Sequence, residues 1–297
     1  MKIAVRDIEL FFDVEGPKVV ASGDAWIERP TVVLLHAGPG ADHSLYKDLV
    51  GPQLASVAQV VYLDQRGDGR SSRSDASHWN LDTWSDDLRA FLDALEIERP
   101  VLLGSAIGSL VALSFASRYP DRLAGLVLVS AVARYVHQRS VSEFDRLGGA
   151  HAGEVAARYF GDPTEATFAD YMNVCLPLYT RRPLDPDVIA RMRINPEGTV
   201  NWTRAEAGKL DLREAVGRIA CPVLLFAGED DPSFTLPGAE ELAASLPAGL
   251  TTFRRIPGAG HGVFRDAPWA LDEAAEFIRA SASVRSEGDD GALVGFS

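Results

Sequence analysis

The sequence predicts an α/β protein with a mostly parallel, doubly wound sheet, and three observations carry that prediction. Short apolar runs recur along the chain, amphipathic stretches alternate with them, and one long interval lacks strand-like runs. The runs are Thr31 to His36, Val57 to Leu63, Val101 to Leu103, Leu126 to Val129, Val223 to Phe226 and Thr252 to Ile256. Runs that are apolar throughout suit strands buried on both faces, as in a parallel sheet covered by helices.

The helical partners are readable between the runs. Thr83 can cap a helix with Asp86 and Asp87 in its first turn, and Trp84, Leu88, Phe91, Leu92 and Leu95 follow at helical spacing before Pro100. Leu110 to Phe115 continue a helix directly after the segment Gly104 to Gly108. The alternation is βαβ.

The interval from Arg134 to Leu212 breaks this pattern, because Pro163, Pro177, Pro183, Pro186 and Pro196 chop it into helical pieces. It reads as a helical cap (134–212) inserted into a core formed by 1–133 and 213–280. Ligand sites of open α/β sheets lie at the strand carboxyl ends, where such a cap would sit. Trp202, Tyr171 and Met172 are the cap residues expected to line a pocket beneath it. The tail 281–297 is polar and Gly-rich and is expected to be mobile.

Composition bounds the function. The chain has 297 residues, 46% hydrophobic and 24% charged, with a formal net charge of −13. That acidic balance argues against nucleic acid and anionic membrane surfaces, which reward basic patches. The partner expected is a small-molecule or short peptide substrate. Cys175 and Cys221 match no metal or CxxC spacing and read as reduced thiols. The N-terminus becomes charged before an apolar signal region can form, and no apolar run approaches the ~20 residues of a membrane span. A cytoplasmic protein without metal or cofactor is expected, and its oligomeric state is left open.

The segment Val101-Leu102-Leu103-Gly104-Ser105-Ala106-Ile107-Gly108-Ser109 is the most informative. In a G-x-S-x-G nucleophile elbow, a strand turns sharply into a helix, and the residues two before and two after the nucleophile must be small. Gly104 and Gly108 meet that demand only around position 106. Ser105 would need small residues where Leu103 and Ile107 stand. Ala106 therefore holds the nucleophile position, where serine is expected. An engineered or selected Ser-to-Ala exchange is the preferred account; a natural non-catalytic relative and a Ser105 nucleophile are the alternatives.

The other parts follow in the order nucleophile, acid, histidine. After the run Val223 to Phe226 comes Gly228-Glu229-Asp230-Asp231-Pro232, where either carboxylate could face a histidine. His261 lies in Pro257-Gly258-Ala259-Gly260-His261-Gly262, just after the last predicted strand. Backbone amides for an oxyanion hole are expected from Ile107, at a helix N-terminus, and from Gly38 in His36-Ala37-Gly38-Pro39-Gly40, with Ala37 the alternative to Gly38. His36 reads as a loop-structuring residue.

Together these residues resemble the proline iminopeptidase branch of the α/β-hydrolase family. His36-Ala37-Gly38-Pro39-Gly40 is similar to that branch's HGGPG, and Asp64-Gln65-Arg66-Gly67-Asp68-Gly69-Arg70-Ser71 to its structural DQRGxGxS stretch. The resemblance spans about Thr31 to Ile278. It implies the α/β-hydrolase fold, a central sheet flanked by helices with a helical cap, and Asp231 as the acid of the triad. Ala37 departs from the family's first glycine. Pro232 stands where some aminopeptidases of the branch carry a glutamate that holds the substrate amine, and Glu143, Glu154, Glu165, Glu197 and Glu206 of the cap read as solvated.

The function expected is therefore a serine-type hydrolase of an ester, lactone or amide, present as an inactive form. A proline iminopeptidase-type aminopeptidase is one alternative. A natural ligand-binding protein on the same scaffold, and non-hydrolytic chemistry by His261 and Asp231, are the others.

Overall fold

The computed structural model describes residues 1–283. Its strands are β1 (Lys2–Val5), β2 (Ile8–Glu15), β3 (Val19–Ser22), β4 (Ala25–Glu28), β5 (Thr31–Leu35), β6 (Gln59–Leu63), β7 (Val101–Ser105), β8 (Gly125–Val129), β9 (Val223–Gly228) and β10 (Thr251–Ile256). Eight of them form one sheet in the order β1-β2-β6-β5-β7-β8-β9-β10, and β3 and β4 pair separately. From β6 to β10 every pairing is parallel, while β1 and β2 add an antiparallel edge.

Strands β7, β8 and β9 are buried at every position, as continuous Val and Leu runs require when helices cover both faces. Helices α2 (Leu81–Ala94), α3 (Ile107–Arg118) and α9 (Leu236–Ser245) contribute to the core cluster on one face. Helices α1 (Ser44–Leu54), α10 (Val263–Asp266) and α11 (Trp269–Ser283) cover the other. At ~25 cal/mol per Å² of apolar area, these two layers are the main source of stability.

All six expected runs form strands, with ends shifted by one or two residues. The N-terminal strands lie outside the six apolar runs, and in β2 Ile8, Leu10 and Phe12 alternate buried with more exposed neighbours, the period of a half-covered edge strand. Helix α2 begins at Leu81, and its cap is Asn80, not Thr83: the Asn80 side chain accepts from the Thr83 amide at 2.9 Å. Asn is the stronger cap and lies in extended backbone, which places Thr83 inside the first turn. Helix α11 runs to Ser283, three residues into the stretch read as a tail; the rest of that stretch, 284–297, lies outside the described residues.

Between β8 and β9 the chain makes a helical excursion: α4 (His137–Gly148), α5 (Ala150–Gly161), α6 (Glu165–Val174), α7 (Pro186–Arg191) and α8 (Pro196–Ala205). It leaves and returns through one neck, where Arg134 bridges Asp211 and the Leu212 amide donates to the Ala133 carbonyl at 2.8 Å. The excursion has its own core, built on Phe144, Tyr159, Phe168, Tyr171 and Val200. None of the described helices is long and apolar enough to cross a membrane.

Candidate active site

The chain runs from β5 to β6 on one side and then returns to β7 on the other, so the sheet has a topological switch point at β5 and β7. Crevices at such points are where open α/β sheets hold ligands. The His36-to-Gly40 loop leaves the carboxyl end of β5 there, and Ala106 follows β7.

Ala106 sits at φ 51° and ψ −116°, between the end of β7 and the first residue of α3. For a residue with a Cβ this conformation costs on the order of 1–3 kcal/mol. The turn is possible because its neighbours are glycines. A Cβ on Gly104 would lie 2.5 Å from the Gly108 carbonyl oxygen, and one on Gly108 would lie 2.1 Å from that of Leu35. Ser105 remains in the strand and is buried. The strained position is therefore 106. The Ala106 amide donates to the Val129 carbonyl at 3.0 Å, which ties the elbow to the end of β8.

Asp231, not Asp230, reaches His261. Nδ1 of His261 donates to Asp231 Oδ2 at 2.9 Å, with Oδ1 at 3.2 Å. Oδ1 also accepts from the Ser233 and Phe234 amides, both at 2.9 Å, so the turn after Pro232 fixes the carboxylate. Burial pushes the Asp231 carboxyl upward, but the His261 charge, its hydrogen bond and the two amides outweigh that and hold it below its ordinary value. Asp230 turns away to pair with Arg146 and Arg181.

His261 is held from three sides. Its amide donates to the Tyr179 carbonyl at 2.6 Å, and its carbonyl accepts from Ser130 Oγ at 2.9 Å. The Tyr179 and Phe234 rings pack on the imidazole, with centroids 4.9 and 5.4 Å away. The imidazole is 14% exposed, enough to leave Nε2 open to a cavity.

Among the described residues, the amides of Ala37, Gly38 and Ile107 have no hydrogen-bond acceptor, and Ala37 lines the cavity beside His261. His36 is fully buried: its Nε2 accepts from the Gln65 amide at 3.2 Å and its Nδ1 faces the Ala37 carbonyl at 2.7 Å, so both nitrogens are spent on the loop. The Gly40 end of that loop is gripped three ways: its amide donates to Asp68 Oδ1 at 2.8 Å, its carbonyl accepts from the Asn195 amide at 2.7 Å, and the adjacent Pro39 carbonyl accepts from Thr199 Oγ1 at 2.6 Å. Asn195 and Thr199 belong to the start of α8, and a Cβ on Gly40 would strike the Asn195 carbonyl at 2.4 Å.

The Asp64-to-Ser71 stretch acts as scaffold for this loop. Asp64 holds His43 at 2.6 Å, Arg66 holds Asp87 at 2.6 Å, and Asp68 holds Gly40. Burial pushes the Asp68 carboxyl up to about 7, and its Oδ2 has no partner.

A cavity of about 500 Å³ opens between core and cap beside His261, with Ala37, Tyr46, Ser105 and Val129 on its core side and Leu176 and Tyr179 on its cap side. The three cap residues expected in a pocket lie elsewhere. Tyr171 is in the cap's own core and reaches the site through Tyr179, hydroxyl to hydroxyl at 2.6 Å. Met172 packs against that core from outside. Trp202 packs against Trp84, with ring centroids 5.6 Å apart and planes tilted by 31°, in the same core cluster as Ala106 and Ile107. The contacts that Tyr179, Ser130, Asp68, Asn195 and Thr199 make here are not legible in the sequence, although Asp68 lies in the stretch similar to the structural DQRGxGxS. Asn195-Pro196 carried a readable signal, that of a helix start.

A parallel sheet with an elbow at its switch point and an acid–histidine pair on the next carboxyl-end loops defines an α/β enzyme scaffold. The chain belongs to the α/β-hydrolase fold family, whose model matches residues 30–268. It is 30% identical over 265 residues, 88% of this chain and 94% of its relative, to a protein named putative carbamate hydrolase RutD from Caulobacter sp. (strain K31). Its fold is similar to that of a proline iminopeptidase from Mycobacterium smegmatis, with TM-score 0.75 and 22% identity, covering 96% of this chain and 99% of that one. It is also similar to an enol-lactonase from Burkholderia xenovorans LB400, with TM-score 0.67 and 21% identity over 94% and 99% of the two chains. Among the described residues no cluster of His, Cys, Asp and Glu is suited to a metal ion.

Proposed function

We propose that this is the site of a serine-type hydrolase of an ester, lactone or amide, in which Ala106 occupies the place of the catalytic serine and leaves this chain inactive. The observation that carries the reading is the strained backbone at Ala106: φ 51° and ψ −116° cost energy that an alanine cannot use. With a serine there, Oγ attacks the substrate carbonyl while His261 Nε2 takes its proton. Asp231 fixes the Nδ1–H tautomer and stabilises the imidazolium. The Ile107 and Gly38 amides receive the charge on the carbonyl oxygen. His261 then protonates the leaving group, and water releases the acyl group by the same steps in reverse.

Ester or lactone substrates fit better than an N-terminal amine. Glu154, Glu165 and Glu197 are exposed, Glu143 pairs with Arg146, and none of these or Glu206 lines the cavity beside His261.

The test is A106S. Its turnover of a panel of aryl esters, lactones and N-terminal prolyl amides should exceed that of the parent by up to ~10⁶ on at least one class, the scale on which a triad serine matters. It should also be labelled covalently by a fluorophosphonate. A folded A106S protein that neither labels nor turns over any of these overturns the reading.

A further inference from the structure

The cavity beside His261 is mostly apolar, yet it holds one cation whose charge no described residue answers. Arg265, on α10, lines it together with Tyr46, Ser105 and His261. The side chain is half-buried, and its one hydrogen bond among the described residues is a long one, from Nη1 to Thr180 Oγ1 at 3.3 Å. It makes no ion pair among those residues. Its neighbour Asp266 spends its oxygens elsewhere, accepting from the amides of Gly260, Arg181 and Arg182.

Arg181, on the same cavity wall, is the contrast, since it is exposed and paired with Asp230. Burial pulls the Arg265 guanidinium below its ordinary value, and the weaker influences of Tyr46 and Asp266 oppose this. It remains charged at neutral pH, because arginine has the most basic side chain. A half-buried cation without a counter-charge is unfavourable unless something else supplies the charge. Besides Arg265, His261 and Arg181, the polar side chains at this cavity are hydroxyl-bearing: Tyr46, Ser105, Tyr179 and Thr180. Tyr46 is buried, and burial raises its phenol, with Ser105 and the Ala37 backbone offsetting part of that, so it stays a donor.

We infer that Arg265 is the anchor for a carboxylate carried by the substrate itself, remote from the bond that is cleaved. The substrate class is then an acid-bearing ester, lactone or amide: its apolar body fills the cavity, its reacting carbonyl meets position 106 and His261, and its carboxylate meets the Arg265 fork, with the Tyr46 and Ser105 hydroxyls beside it. A planar guanidinium matches a carboxylate through two parallel hydrogen bonds, a geometry that lysine does not reproduce. This inference rests on the acyl-transfer reading for the orientation of the ligand, but not for its binding.

The experiment uses the Ala106 protein as it stands, which cannot consume a ligand by acyl transfer. Calorimetric titration with 4-phenylbutyrate and with its neutral amide should show the carboxylate binding at least ~10-fold tighter, a preference that shrinks with added salt. R265Q should equalise the two ligands, R265K should keep part of the preference, and R181Q should leave it intact. Equal affinities in the parent, no saturable binding of the carboxylate, or a preference that survives R265Q each overturn the inference. A106S labelling by fluorophosphonate is scored separately. If A106S labels but the anion preference is missing, the Arg265 anchor fails and acyl transfer stands. If A106S is inert while an Arg265-dependent preference persists, acyl transfer fails and the anion site stands.

Discussion

The described residues contain two buried aspartate–histidine pairs, and their difference teaches more than either alone. Asp64 and His43 meet at 2.6 Å, with the histidine side chain 5% exposed and stacked on Phe11 and near Tyr62. Asp64 also accepts from the His43 and Arg70 amides. Asp231 and His261 meet at 2.9 Å, with the imidazole 14% exposed and its far nitrogen towards a cavity. The first pair sews the start of α1 to the loop after β6. The second leaves a ring nitrogen towards a cavity, where we propose that it acts as a base. A carboxylate behind a histidine is thus an orienting device, and only what lies beyond the other ring nitrogen makes it chemical.

The contrast can be broken by mutation. In an A106S background, H261A should cost about 10⁶ in turnover and D231N about 10⁴, since a triad member lost from a working site removes the step it serves. Steady-state rates on the best ester of the panel measure both. H43A should act on the other side of the comparison. Breaking a buried pair costs ~3 kcal/mol of stability, while turnover per folded molecule should fall by less than about tenfold. Urea denaturation beside active-site titration separates the two, and an H43A protein of full stability with abolished turnover would reverse the assignment.

A subtler test concerns Asp68, which holds the loop between the two pairs. Its carboxyl is raised from 3.8 to about 7, so the folded state keeps a proton that the unfolded chain releases. The stability it contributes is fully present below pH 3.8 and is lost as the pH rises through about 7, opposite in sign to Asp231. The full span is up to ~4 kcal/mol. D68N should remove this component, so the stability difference between parent and D68N should change steadily from about pH 4 to about pH 7 and level off above that. A difference that is constant with pH would refute the raised carboxyl.

The comparison also shows what a sequence can disclose. The glycines at 104 and 108 speak plainly, because each would place a Cβ inside backbone of a neighbouring segment, and that demand is local. The continuous Val and Leu runs of β7 to β9 disclose burial on both faces for the same reason. Asp230 and Asp231 are indistinguishable by such reading: what separates them is the turn through Ser233 and Phe234 and the position of Arg146 and Arg181, both set by tertiary structure. The cap aromatics fail similarly. Tyr171 and Met172 are as apolar as Tyr179, but only the packing of α4 to α6 decides which one faces the cavity. Arg265 carries no motif, and its meaning lies in its having no ion-pair partner among the described residues.

The neck at Arg134 and Asp211 has a consequence for how such a protein diversifies. Because the excursion leaves and re-enters through a single bridge, its length and helix content can change without altering one ladder of the sheet. Variation of the excursion is thereby uncoupled from folding of the sheet, as in a socket that accepts different fittings. One clause of the contract is fixed: whatever occupies the socket must still offer what Asn195 and Thr199 offer to Gly40 and Pro39, or the loop before α1 loses its grip.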